Sequence, residues 1–188
     1  LHKAHFELTM REMKELNANL LVHPVVGMTK PGDVNHFTRT RCYKHIMDEY
    51  PKGSAFLSLL PLAMRMGGPK EALLHAIIRK NYGCTHMIIG RDHAGVGDYY
   101  GPFDAHRIFD NIPKGSMETQ ALKIDIAFYS YRCGGMATGR TCPSEENERL
   151  NISGTRLREM FANKEKVPSE FSRPEVVAVL QEYYDNLS

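Results

Sequence analysis

The fold of this chain is decided by residues 85–95, which read THMIIGRDHAG. Residues 85–89 form an apolar run typical of a strand buried on both faces. Glycines, a guanidinium, a carboxylate and an imidazole follow directly, within six positions. That mixture suits a polyphosphate and fits poorly in a packed core, and ligands of open α/β sheets bind at the carboxyl ends of strands. The stretch therefore predicts a buried strand followed by a phosphate-binding loop.

Two further apolar runs, at residues 20–26 and 55–60, alternate with segments of helical periodicity. Such alternation is typical of a parallel, doubly wound α/β sheet, and right-handed crossovers bring the strand ends to one edge. A further strand is predicted over 122–129, and residues 130–149 are predicted to be irregular. Helices are predicted over 2–16, 34–49, 68–82 (with Gly83 ending the helix), 103–109, 155–162 and 174–184.

The bulk properties allow one domain and exclude some classes of partner. The chain has 188 residues, 42% of them hydrophobic, which suffices for a real core. A net charge of +2 gives no bulk attraction to nucleic acid or membranes, and the apolar runs are too short to span a bilayer. Four cysteines do not suggest a disulfide framework, so we expect a reducing compartment, the cytoplasm. Because the first residue is Leu1, we expect a fragment of a longer protein.

Two histidines near the start of the first helix form a second candidate site. His2 and His5 are three residues apart and share a helix face. The free amides and positive dipole of a helix start favour anions, and imidazoles there suit charge developing on a phosphoryl group. A metal-binding pair and two ordinary surface histidines remain open as alternatives.

A third candidate is the segment 151–158, which reads NISGTRLR. Ser153 or Thr155 is expected to cap the following helix, with Arg156 and Arg158 in its first turns. Hydroxyls and an arginine at a helix start are typical of a phosphate site. An ordinary cap with solvated arginines is the alternative.

Several remaining polar residues have weaker signals. Cys133 and Cys142 lie in a glycine-rich loop that provides half of a tetrahedral zinc site, with Ser130 and Glu146 where further ligands would stand. We favour a metal-free loop. The residues expected to line the same sheet edge are His23, His36, Arg39 and Arg41, whereas His75 and His86 are interpreted as packing histidines.

Taken together, the three motifs resemble one family. HKAH at 2–5, GRDHAG at 90–95 and ISGT at 152–155 recur in that order in the ATP sulfurylase family, the sulfate adenylyltransferases. The resemblance covers nearly all of the chain and extends through VHPVVG at 22–27, TKPGD at 29–33, AMRMGGP at 63–69 and HAIIRKN at 75–81.

The resemblance implies a nucleotidylyltransferase-type Rossmann-like fold, with residues 1–150 as the catalytic α/β domain and 151–188 as its closing helices. It implies a reaction of MgATP with sulfate that gives adenosine 5′-phosphosulfate and pyrophosphate, in a homo-oligomer. His2 and His5 would contact the phosphates during catalysis, and the Ala94 backbone would contact sulfate. The residues implied to bind ATP are Gly90, Arg91, Asp92, His93, Ile126, Ser153, Thr155 and Arg158.

Two departures from the family pattern matter. The resemblance places a Gln-x-Arg-Asn-Pro segment, the first strand and an upstream domain before Leu1, so we expect a fragment that lacks them. An inactive nucleotide-binding or assembly piece is therefore the alternative function. Some bacterial members also bind zinc at the cysteine loop, but Ser130 and Glu146 replace two of the ligands here, so we expect Mg²⁺ with ATP and no zinc.

Overall fold

The structure is a computed structural model that describes residues 2–29, 32–124, 127–139 and 141–187. The chain divides into two compact units. The first comprises Leu1–Val26, Val34–Leu60 and Ala127–Ser188, and the second comprises Gly27–Asp33 and Pro61–Ile126. Within the described ranges, no helix is both long and apolar enough to cross a membrane.

The six predicted helices are all found, with ends that differ from the predictions by one or two residues. In chain order they are α1 Lys3–Leu16, α2 His36–Met47, α3 Gly68–Asn81, α4 Asp104–Asp110, α5 Gly154–Ala162 and α6 Pro174–Asp185. The strands are β1 Leu20–Val22, β2 Ala55–Leu57, β3 His86–Ile89, β4 Gln120–Lys123, β5 Ala127–Ser130, β6 Gly135–Thr138 and β7 Arg149–Leu150, with a 3-10 helix at Glu146–Glu148.

The first unit contains one parallel and one antiparallel sheet. Strands β1 and β2 pair in parallel, with Leu20 opposite Ala55. The order of the antiparallel sheet is β6-β5-β7. Helices α2 and α6 pack together around a cluster that includes Ile46 and Val179.

The second unit is built from α3, β3, α4 and β4. Strands β3 and β4 pair in parallel, with His86 opposite Gln120. Ala72, Ile89 and Ala105 are buried together between α3, β3 and α4. Ile89 is the last residue of β3 and has no exposed surface, so the core fixes the point from which residues 90–95 depart.

Two sequence predictions about strands are wrong. Residues 122–129 are not one strand, because β4 pairs with β3 while β5 pairs with β6 and β7. Residues 130–149 are not irregular, because β6, the 3-10 helix and β7 lie there. Strand β4 pairs with the distant β3 and β5 pairs with the distant β7, whereas β5 and β6 form a local hairpin across which Phe128 and Ala137 are buried together. The described strands therefore form a mixed α/β structure with small parallel sheets.

Candidate functional site

The loop from Gly90 to Gly95 is held in an unusual backbone conformation. Asp92 and Ala94 have φ angles of 51° and 55°, in the left-handed region that non-glycine residues rarely adopt. The Asp92 N–H donates to the Pro102 carbonyl over 2.8 Å, and a Cβ at Gly95 would overlap the Asp92 carboxylate. Residues held in strained conformations cluster at ligand sites, so this loop is a candidate ligand site.

A second loop of the same unit is tied to the first. Met66 and Gly68 have φ angles of 55° and 54°, and the Gly68 N–H donates to the Ala94 carbonyl over 2.9 Å. A Cβ at Gly68 would lie 2.5 Å from the Tyr100 ring. Glycine is therefore required at this close approach.

Glu71, in the first turns of α3, holds the loop that precedes the helix. One carboxylate oxygen accepts the Arg65 N–H and the other accepts the Gly67 N–H, each over 2.8 Å. The Glu71 residue is only 4% exposed. A buried carboxylate with two backbone donors serves as a fixed anchor for the loop.

His75 lies one helical turn further along α3. Its ring lies between Glu71 and His93, which belongs to the loop from Gly90 to Gly95, here called the motif loop. Its Nε2 is 3.4 Å from Glu71 Oε1, and its Nδ1 is 3.0 Å from His93 Nε2. His75 is only 2% exposed, as expected of a packing histidine. The sequence did not predict its two polar neighbours. The i, i+4 spacing of Glu71 and His75 was the available signal.

His93 is uncharged at neutral pH in this arrangement. Burial, followed by the positive charges of His75 and Arg79, lowers the pKa of His93 from 6.5 to about 4. Burial also lowers the pKa of His75. Arg91 and Asp92 are exposed beside these rings, so the loop offers one permanent cation and a neutral imidazole to an anionic ligand.

His2 and His5 lie together at the start of α1, in the first unit. His2 is the N-cap residue, and no acidic residue occupies the first turn. The two ring centroids are 4.0 Å apart, and His2 stacks on Phe171 at 4.7 Å. Burial, followed by the charge of His5, lowers the pKa of His2 to about 3. The ring of His2 is therefore neutral at pH 7 and carries one ring N–H that can donate a hydrogen bond.

The start of α5 has the predicted cap. Ser153 Oγ accepts the Arg156 N–H over 3.1 Å, while Thr155 is exposed. The Arg156 guanidinium pairs with Glu165, 2.5 Å away. Arg158 folds back over the first turn, where its Nη2 lies 3.7 Å from the Cβ position of Gly154. Arg158 is thus the arginine near the helix start without an acidic partner among the described residues.

Other predicted site residues have local structural roles or lie outside the description. Arg39 donates to the Val25 carbonyl over 3.0 Å, and Arg41 pairs with Glu182 on the surface over 2.6 Å. The place of Arg41 at a ligand edge stays a prediction. Ile126 lies outside the described residues.

The cysteine loop contains a disulfide that the sequence analysis did not expect. Cys133, in the turn before β6, and Cys142, four residues after β6, are bonded to each other. Ser130 Oγ lies 3.4 Å from Cys142 Sγ and accepts the Cys133 N–H over 3.1 Å. Glu146 is exposed. In the part of the chain that the structure describes, no three His, Cys, Asp or Glu side chains could hold a metal ion; the absence of zinc stays a prediction.

Each unit therefore carries phosphate-suited groups at the ends of regular elements: a strained loop after β3, and two helix starts. These features are those of an α/β phosphate-binding protein, and comparison with known proteins shows its family. Residues 1–183 match the family model ATP-sulfurylase. The chain belongs to the ATP-sulfurylase family.

Curated relatives agree with the family model. The chain is 52% identical, over its whole length, to a sulfate adenylyltransferase of Pelodictyon phaeoclathratiforme, of which it covers 47%. It is 49% identical, again over its whole length, to a sulfate adenylyltransferase of Thiobacillus denitrificans, of which it also covers 47%. The chain thus spans about half the length of the curated relatives it matches.

A solved structure is also similar. The structure titled hexameric APS kinase from Thiobacillus denitrificans matches 97% of this chain with a TM-score of 0.74 and 26% sequence identity. The match covers 34% of that chain.

Proposed function

We propose that the polypeptide carrying this chain is a sulfate adenylyltransferase. A sulfate oxygen attacks the α-phosphorus of MgATP, a new S–O–P linkage forms, and the bond from the α-phosphorus to the bridging oxygen breaks. Pyrophosphate leaves, and adenosine 5′-phosphosulfate is the product. The observation that carries the proposal is about 50% identity to sulfate adenylyltransferases along the whole chain.

The loop after β3 is proposed to bind ATP. Gly90, Arg91, Asp92 and His93 contact the nucleotide, and the backbone of Ala94 contacts sulfate. The left-handed φ angles of Asp92 and Ala94 support this role, because a preset loop gives a ligand fixed donors at no ordering cost. Little covalent chemistry is required of the protein, so positioning and charge neutralisation are its main contributions.

The two helix starts are proposed to contact the phosphates. His2 and His5 donate to the phosphoryl oxygens as charge develops in the transition state. Ser153, Thr155 and Arg158 bind ATP, and the Ser153 cap supports this by fixing the first turn of α5. Ile126 is proposed to contact adenine through its backbone. Mg²⁺ arrives with ATP as part of the substrate.

The arrangement of the sheet and the division into domains are also inferred from the family resemblance. We propose a Rossmann-like parallel core of the nucleotidylyltransferase type, with residues 1–150 as the catalytic domain and 151–188 as its closing helices. The similar structure from Thiobacillus denitrificans is titled hexameric, which supports a homo-oligomer here. A cytoplasmic location is proposed on the same family grounds.

The direct test is product formation from ATP, Mg²⁺ and sulfate by the full polypeptide that carries this chain. We expect pyrophosphate release that depends on sulfate, matched mole for mole by adenosine 5′-phosphosulfate on chromatography. Adding pyrophosphate and adenosine 5′-phosphosulfate should regenerate ATP. A protein that binds ATP in calorimetry but forms no product in either direction would instead be the inactive nucleotide-binding alternative.

A further inference from the structure

Three polar side chains form a continuous connection from α3 to the motif loop. Glu71, His75 and His93 are linked by the 3.4 Å and 3.0 Å contacts described above. Glu71 and His75 are 4% and 2% exposed. Ionisable groups at that depth are costly unless they are paired. Helix packing alone therefore does not explain them.

The polar neighbours of His75 and His93 determine which ring nitrogens carry a proton. A neutral imidazole carries one N–H, and an ionised carboxylate only accepts. The nitrogen of His75 that faces Glu71 is Nε2, 3.4 Å from Oε1, a contact that lacks hydrogen-bond geometry. The negative charge of Glu71 at that distance favours the tautomer with the proton on Nε2, which leaves Nδ1 as the acceptor. The atom facing that acceptor is Nε2 of His93, which must therefore be the donor. In the free protein, Nδ1 of His93 is left without a proton.

We propose that Glu71 and His75 are positioning residues that hold His93 in its Nε2–H form, so that Nδ1 is the ring nitrogen that takes up a proton when a phosphate group binds. The identity of that ligand as ATP rests on the proposed function. Glu71 has two roles: besides orienting His75, its carboxylate accepts the Arg65 and Gly67 N–H groups.

The charges around His93 agree with a ring that is neutral until an anion arrives. His75 and Arg79 from α3, and His106 from α4, oppose a positive charge on His93, whereas Glu71 favours it. His106 Nε2 donates to the Ile89 carbonyl over 2.9 Å. Arg91 and Asp92 are the charged neighbours within the loop itself. A bound phosphate adds negative charge at the ring, and Glu71 then stabilises the protonated form through His75.

Nitrogen-15 NMR of histidine-labelled full polypeptide tests the tautomer directly, with His93→Gln used to assign the His93 signals. In the free protein at pH 7.5 we expect a protonated Nε2 and an unprotonated Nδ1, with Nδ1 becoming protonated when ATP is added. Glu71→Gln and, separately, His75→Phe should produce a mixture of the two tautomers. A free wild-type His93 with its proton on Nδ1, or folded variants with an unchanged tautomer, would overturn the proposal. Should one variant fail to fold, the other carries the test.

Kinetics separates positioning from a merely structural role. We expect Glu71→Gln to lower kcat/KM for ATP by about 10–100-fold, the scale of one misplaced hydrogen bond to a charged group. The alkaline limb of the kcat profile, which reports the bound state, should move to lower pH, because the charge that compensates protonated His93 is gone. A purely structural defect would reduce active enzyme without moving that limb, and such a result would contradict the proposal.

Matched controls are available on neighbouring elements. Glu118→Gln removes a carboxylate that pairs with Lys80 on the surface, 3.2 Å away, and His86→Gln removes a histidine at the start of β3. Both should keep the wild-type pH profile. If the wild-type polypeptide shows no turnover at all, the proposed function fails, whereas the NMR measurement still decides the tautomer of His93.

Discussion

Arg91 is the permanent cation of the motif loop, and it is exposed in the free chain. We predict that Arg91→Ala weakens ATP binding by about 1.5–3 kcal/mol, the range for hydrogen bonds to charged groups. Isothermal titration calorimetry measures this, with Lys52→Ala in an exposed turn as the charge-matched control. Unchanged affinity in the Arg91 variant would remove this residue from the site.

The paired histidines at the start of α1 are predicted to act mainly in the transition state. His2→Ala and His5→Ala in the full polypeptide should each lower kcat by about 10²–10³, with a smaller rise in KM for ATP. Donors aimed at developing charge contribute most when that charge forms. Steady-state kinetics gives the split, and His45→Ala, an exposed histidine on α2, is the control. A variant that raises only KM would show that these rings bind ground-state ATP.

At the scale of residues, the sequence predicted the position of the loop after β3 better than the side-chain contacts that hold it. A glycine-rich polar motif after a buried apolar run is a local pattern, so the loop at 90–95 was predicted in place. The pairing of His75 with His93 spans 18 residues, and apolar neighbours in the sequence disguise the polar contacts of His75. No local pattern indicates a contact over that distance. The disulfide between Cys133 and Cys142 spans only nine residues, and it was missed because four cysteines in 188 residues did not suggest a disulfide framework.

At the scale of elements, two glycines next to α3 offer a matched comparison. Gly83 follows the helix with a φ of 86°, where an added Cβ meets nothing within 4 Å. Gly68 begins the helix with a φ of 54°, where a Cβ meets Tyr100. We predict that Gly83→Ala costs about 1 kcal/mol for the left-handed conformation alone, and Gly68→Ala about 2–4 kcal/mol, because steric overlap is added. Urea unfolding measures both, and equal costs would show that Tyr100 moves away freely.

The helices were predictable and the strands only partly so. Helical periodicity, caps and glycine stops are local, and Ser153 and Gly83 both occupy their expected positions at helix ends. Strand pairing is not local. The apolar run at 122–129 resembles one strand, yet its two halves join different sheets. Strand β4 pairs with β3, whereas β5 pairs with the distant β7 as well as with its hairpin neighbour β6.

At the scale of the whole molecule, neutral histidines make stability depend on pH. His93 has a pKa of about 4 in the folded chain against 6.5 when unfolded. The unfolded state therefore binds more protons between these values, and stability is lost as the pH falls below 6.5. We predict that wild type loses about 2 kcal/mol more than His93→Gln between pH 7.5 and pH 5. Urea unfolding at both pH values measures the difference, and parallel losses would contradict the neutral state of His93.

The chain spans about half the length of its curated relatives, and the Gln-x-Arg-Asn-Pro segment that the family resemblance implies for sulfate binding does not occur in residues 1–188. A sulfate dianion needs a cationic partner to sit beside the α-phosphate, since two anions repel at that distance. We therefore expect the 188-residue chain alone to bind ATP weakly through the loop after β3 and the start of α5, with little sulfate-dependent turnover. Initial rates and ATP affinities, measured at equal concentration for this chain and for a polypeptide of the relatives' length, provide the check. If both form adenosine 5′-phosphosulfate at similar rates, the arginine of that segment is dispensable, and cations of this chain such as Arg91 or Arg158 suffice to neutralise sulfate.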